Sequence, residues 1–180
     1  MKLPRNLDCL SFNMDLAQVN ADINTWIEGF LEVPNPALGG WSPCPYARRA
    51  RLDKAYEVRL GQDAYWDLAP LSWQGIDPWQ VVVYAYAADR VDPEKFTHAV
   101  DLANRHYMVP YNLIALLDHP SLPETVNGVV MNQGTYALVL VQSLPDLDQK
   151  AAAMGRKGFY DTWPEPYLKE LFQYRQDPRP

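Results

Sequence analysis

Three short apolar runs constrain the fold of this 180-residue chain more than any other feature. Trp79–Tyr86 is dense in β-branched and aromatic residues, Tyr111–Leu117 is apolar almost throughout, and Thr135–Val141 repeats the pattern. Runs of this length and composition predict buried strands. Tyr56–Leu60 alternates and predicts a fourth, shorter strand. Between and around them lie helical patterns. Asp15–Val33 carries Leu16, Val19, Ile23, Trp26, Ile27, Phe30 and Leu31 at helical spacing, which predicts an N-terminal amphipathic helix. A short helix is expected over Asp63–Leu71. Asp92-Pro93-Glu94 supplies a cap and a first-turn proline for a helix running to about Tyr107. Leu147–Arg156 and Pro166–Tyr174 read as closing helices. The alternation predicts an α/β (α+β) fold, a two-layer or three-layer arrangement in which a sheet of about four strands is covered by helices. Length implies one domain over residues 1–180, with 1–14 and 175–180 loosely ordered.

The 48% hydrophobic and 21% charged composition is that of a globular protein. A net charge of −6 argues against nucleic acid as the main partner, because phosphate binding needs a basic face. No apolar run approaches a membrane span and the first residues have no signal-like apolar core, so a cytoplasmic protein that does not engage membranes is expected. Cys9 and Cys44 are too few for a disulfide framework and should be reduced thiols, Cys9 without a special role. Six Trp and eleven Tyr exceed what core filling needs, which points to a homo-oligomer interface or a ring-lined pocket. No GxGxxG, phosphate-loop, nucleophile-elbow or paired-cysteine zinc pattern occurs.

The segment Trp41-Ser-Pro-Cys-Pro-Tyr-Ala-Arg-Arg49 is the most specific local feature. Prolines 34, 36 and 43 and the Gly39-Gly40 pair force a loop before Cys44, and a short helix is expected from about Pro45. A cysteine at a loop-to-helix junction followed by arginines is placed to hold a thiolate. Arg48, Arg49, Arg51 and Lys54 form a basic island suited to an anion. His119 ends an apolar strand between Asp118 and Pro120, where a general base or metal ligand can stand. His98 lies one turn from Glu94 and Asp101 but on the expected solvent face, and His106 sits at its helix end.

The expected site is therefore a pocket with Cys44 and His119 catalytic and Arg48, Arg49, Tyr46 and Trp41 binding a small, anionic ligand. Cys44 and His119 would be the ligands of any transition metal, with zinc, iron or copper all compatible. The expected function is a small enzyme using thiolate or metal-assisted chemistry. The alternative from another class is a non-catalytic binding or assembly protein with an aromatic interface.

The same segment resembles the active-site motif of glutaredoxins and some glutathione transferases, in which Cys-Pro-Tyr/Phe precedes a small residue and basic positions. That resemblance implies a glutathione-dependent thiol protein with Cys44 as its thiol, a strand immediately before it and a cis peptide at Val109–Pro110. More of the chain resembles an uncharacterised bacterial family marked by Cys-Pro-Phe/Tyr-Ala-Arg/Lys. Trp26, Cys44 to Arg48, the strand near Val81–Val83, the Phe96 to Ala103 helix, His119-Pro120 and Trp163-Pro-Glu-Pro-Tyr167 stand in that family's order. This resemblance implies no known activity; it places Cys44 and His119 in matching blocks.

Overall fold

A computed structural model describes residues 14–176. Helix α1 (Leu16–Trp26) begins where the Asp15 carboxylate accepts the Ala17 N–H, and it continues through a wider π-helical turn, Ile27–Leu31. A single 3₁₀ turn, Pro36–Leu38, interrupts the proline-rich loop, which ends at α2 (Ala47–Leu52). Strand β1 (Tyr56–Leu60) is followed by short helices α3 (Ala64–Leu68) and α4 (Leu71–Gln74), then β2 (Val81–Ala87). Helix α5 (Pro93–Ala103) starts on the Asp92 cap and runs on into a π-helical turn, Asn104–Met108. Strand β3 (Leu113–Asp118), a hairpin of β4 (Thr125–Val126) and β5 (Val129–Val130), and strand β6 (Tyr136–Ser143) precede α6 (Leu144–Gly155) and α7 (Glu165–Leu171).

The four long strands form one sheet in the order β1-β2-β6-β3. β1 and β2 are parallel, and β6 pairs antiparallel with both β2 and β3. Strand β6 is inserted between two strands that precede it, so β3 becomes an edge. Successive side chains alternate faces. Val82, Tyr84 and Tyr86 of β2 pack with Leu68, Phe96, Val100 and Met108 on one side. Val83 and Ala85 pack with Val19, Ile23 and Ile27 on the other. Helices thus cover both faces, a three-layer form of the expected α/β arrangement. A further cluster, Leu38, Val126, Met154, Phe159, Tyr160, Trp163, Leu168 and Phe172, sits under α6 and α7. Among the described residues no helix is long and apolar enough to cross a membrane.

The expected loose ends need one correction. Met14 packs against the α1 cluster. The Arg175 side chain is buried, donates from Nε to Asp148 Oδ1 at 3.2 Å and lies over the Phe172 ring at 4.9 Å. The chain is therefore anchored through Arg175, where fraying was expected. Residues 1–13, including Cys9, and 177–180 lie outside the described residues.

Gly61 continues the β1–β2 pairing, its N–H donating to the Ala85 carbonyl at 2.8 Å. The Tyr86 ring fills the space beside it so closely that a Cβ at Gly61 would meet ring carbon Cε1 at 2.2 Å. Tyr86 is fully buried and cannot swing out without opening the core. Gly61→Ala should therefore cost about 1–3 kcal/mol through overpacking, read as a lower urea midpoint. Tyr86→Leu in the Gly61→Ala background should recover part of that loss, and full additivity of the two changes would refute the contact as the cause.

Candidate functional site

The Cys44 segment docks inward. The Cys44 N–H donates to the Leu31 carbonyl at 3.0 Å, tying the loop to the end of the first helix. Trp41 meets Phe159 edge-on at 5.9 Å between centroids. The Tyr46 hydroxyl donates to the Lys150 carbonyl at 3.5 Å, with the Lys150 ammonium 5.4 Å above its ring. Trp41 and Tyr46 thus join the C-terminal aromatic cluster, while Cys44 packs against the α1 cluster. Burial pushes the Cys44 thiol up, outweighing the backbone N–H groups of Tyr46 and Ala47 and the Lys150 charge, which pull the other way. This corrects the expectation of a stabilised thiolate: desolvation exceeds the helix-start effect.

The basic island is largely matched by acids of its own surroundings. Arg51 forks onto Glu32, at 2.9 Å and 3.1 Å, and reaches Glu28 at 2.8 Å. Arg49 pairs with Asp53 one turn on, and Arg48 and Arg49 are exposed.

His119 lies on the opposite face of the sheet. It is fully buried, its ring 5.8 Å from Phe96, a residue of the α5 side. Nδ1 accepts the Ser121 N–H at 3.1 Å. Nε2 therefore carries the hydrogen and donates to the Val91 carbonyl at 3.3 Å. Both ring nitrogens are occupied by backbone, so the imidazole ties the end of β3 to the start of the α5 unit. Cys44 and His119 are separated by the sheet rather than brought together. Among the described residues no group of three or more His, Cys, Asp or Glu is arranged to hold a metal ion, so the zinc, iron or copper expectation has no ligand set there. The glutaredoxin-like features are also not found: a 3₁₀ turn and loop precede Cys44, Val109–Pro110 opens a 3₁₀ turn, and the cis bond among the described residues is Asp77–Pro78.

A different set of side chains converges beside edge strand β3. A cavity of about 270 Å³ opens between α5, β3 and the segment from Tyr167 to Arg175. None of the residues expected at the site lines it. Its walls carry Asp101, Asn104, Leu117, Glu124, Tyr167 and Glu170 among others. The walls are pinned. Tyr174 donates its hydroxyl to Asp101, and Arg105 Nε donates to Tyr174 at 3.1 Å. The Tyr167 hydroxyl donates to Glu124 Oε2 at 3.0 Å.

Glu124 owes its position to a relay from Asp118. Asp118, buried at the end of β3, accepts the Asn132 amide and the Gln133 N–H, both at 2.7 Å. Asn132 Oδ1 in turn accepts the Glu124 N–H at 2.7 Å. Burial holds the Glu124 carboxyl above the ordinary carboxylate range, the Tyr167 hydrogen bond offsetting part of this and the negative charges of Asp118 and Glu170 adding to it. Burial likewise raises Asp118, against its two hydrogen bonds. Tyr167 is pushed well above a free phenol by burial and then by the Glu124 charge, so it remains a hydrogen donor. A carboxyl raised above its ordinary value beside a protonated phenol is an arrangement suited to proton transfer.

Glu124 and Tyr167 were not among the residues expected from the sequence, and no spacing signals them: they are 43 positions apart and meet only because the β4–β5 excursion packs on α7. Comparison of the chain with protein-family models, with curated proteins and with solved structures gives no match.

The half-buried, desolvated thiol yields a direct expectation. In a Cys9→Ser background, native Cys44 should react with iodoacetamide at pH 7 at least tenfold more slowly than in urea, with a rate that climbs only above the ordinary thiol range near about 8.5. Fast labelling at pH 7 in the native state would show an accessible, activated thiolate instead.

Proposed function

We propose that the protein binds a small molecule in the groove between α5, β3 and the Tyr167–Arg175 segment, with Glu124 as its acid–base group and Tyr167 orienting that carboxyl. The observation that carries this reading is the Tyr167–Glu124 hydrogen bond at the wall of a 270 Å³ cavity. That volume is close to the lower end, about 300 Å³, of ordinary ligand pockets, which fits a small ligand. The lining mixes apolar side chains from β3 and α5 with a few convergent polar groups, the usual composition of such sites. A small-molecule enzyme remains the favoured class, and its proton-handling group moves from the Cys44–His119 pair to Glu124, since both nitrogens of His119 are held by backbone and the Cys44 thiol is desolvated.

Fragment screening by amide NMR tests it. Binding fragments should shift the Val100, Leu117 and Tyr174 amides and lose at least tenfold in affinity in Glu124→Gln. Fragments that bind only elsewhere would overturn the reading. The stability of the free protein supplies an independent check. A carboxyl whose folded pKa is raised contributes stability below its unfolded value, near about 4.3 for Glu, and loses it as pH rises through the folded value. Wild type should lose stability over this window, and Glu124→Gln should flatten the fall; Asp118, shifted the same way, leaves a remainder.

A second reading rests on a separate observation. Trp66, Trp73 and Tyr111 are 65%, 70% and 54% exposed. Trp66 packs edge-on against Tyr65, which also contacts His106 and Tyr107. Aromatic residues standing this far into solvent suit an interface between two copies of the chain. Light scattering coupled to size exclusion should then give twice the chain mass, falling to the monomer value in Trp66→Ser/Trp73→Ser.

A further inference from the structure

Backbone direction along β3 supplies the further observation. The Asn104 side chain, itself buried, makes two hydrogen bonds to one residue of the strand: its Nδ2 donates to the Ala115 carbonyl at 2.9 Å, and its Oδ1 accepts the Ala115 N–H at 2.8 Å. Strand β6 occupies the other side of β3, so the Ala115 N–H and C=O both point away from the sheet. In an antiparallel pair the backbone groups of residues two apart point to the same side. The N–H and C=O of Leu117 therefore face outward too. Asn104 closes the rung at Ala115, and Leu122 and Asn132 close the rung at His119, each donating to its carbonyl, at 2.9 Å and 3.3 Å. Between them, no hydrogen bond from another described residue reaches the Leu117 N–H or C=O. Leu117 lines the groove.

An open rung of this kind pairs with one residue of an extended chain, exchanging two hydrogen bonds with it. The surroundings say what else that residue should carry. Glu124, Glu170 and Asp101 line the groove with Leu117. Asp101 is already paired with Arg105 and Tyr174, so Glu124 and Glu170 are the lining carboxyls without a basic partner among the described residues. The arginine that lines the groove, Arg175, is committed to Asp148. Arg105 is committed to Asp101 and Tyr174. The excess of carboxyl groups favours a cation.

We infer that the ligand of this groove is a single extended amino-acid unit with a cationic side chain, its backbone amide paired with the Leu117 N–H and C=O and its ammonium placed between Glu124 and Glu170. This deepens the reading of the groove as a small-ligand site and rests on it.

Four probes test it by titration calorimetry and by the Leu117 amide resonance: N-acetyl-lysine-N-methylamide, the uncharged N-acetyl-norleucine-N-methylamide, the Nα-methylated lysine probe, and pentylamine. The lysine probe should bind and shift the Leu117 amide. The norleucine probe, which lacks the charge, should bind at least tenfold more weakly. The Nα-methylated probe, which cannot donate to the Leu117 carbonyl, should lose a similar factor, and pentylamine should leave the Leu117 amide unmoved. Glu170→Gln, at an exposed position that will not disturb folding, should weaken the lysine probe and leave the norleucine probe unchanged. Equal binding of the lysine and norleucine probes, or full binding of the Nα-methylated one, overturns the inference. If all four fail while neutral fragments still occupy the groove in a Glu124-dependent way, this inference alone falls. If nothing perturbs the groove, the small-ligand reading falls with it.

Discussion

Asp118 is a carboxylate buried at the last residue of an edge strand, and much of the molecule on that side hangs from it. Its two oxygens take the Asn132 amide and the Gln133 N–H, which brings the chain back from its fourteen-residue excursion at the point where β6 must begin. Burying such a group is costly unless its lone pairs are filled. Here they are filled by the segment that has to be placed. Asn132 then uses its remaining oxygen on the Glu124 N–H, so the geometry of the groove wall is inherited from a carboxylate that does not line it. His119, the next residue, performs the matching task toward Val91. The Asp-His pair at the strand end is thus a joint between layers. Its polar character belongs to architecture, although its type and position resemble a catalytic dyad.

The Cys-Pro-Tyr-Ala-Arg-Arg segment follows the same logic. Trp41 and Tyr46 reach into the aromatic cluster under α6 and α7, and Cys44 reaches into the cluster under α1. One loop therefore joins two separately packed regions, with Arg51 fixing its far end to Glu32 and Glu28. A local pattern that looks chemical has a mechanical use here: small Cys fits between packed layers, and prolines on each side hold the loop in one path.

Local signals were legible and relative placement was not. Tyr56–Leu60 is a strand with the bounds its alternation suggested, and Asp15, Asp63 and Asp92 each cap a helix as Asp residues before apolar periodicity should. Helix α6 starts at Leu144, three residues before the expected point, because the Ser143 side chain accepts the Asp146 N–H and Pro145 suits the first turn; both signs stood in the sequence. The β4–β5 hairpin was missed although Asn127-Gly128 between Thr-Val and Val-Val is a strong two-residue turn signal, and both residues adopt positive φ. Strand order is another matter. That β6 enters between β2 and β3 depends on which edges meet after collapse, and hydrophobic pattern is blind to that. The groove inherits the same difficulty, since Glu124, Tyr167 and Asp101 come from three elements whose proximity is a product of the topology.

Asn104 has a consequence for how the protein behaves in company. A six-residue edge strand with free backbone groups is a template on which a strand from another molecule can grow, and such growth leads to aggregation. One buried amide, held on the last turns of the α5 unit, occupies the middle of that template and leaves no uninterrupted row of rungs. The gap beside the groove, at Leu117, is one residue wide. It is broad enough to recognise a single unit and too narrow to propagate a sheet.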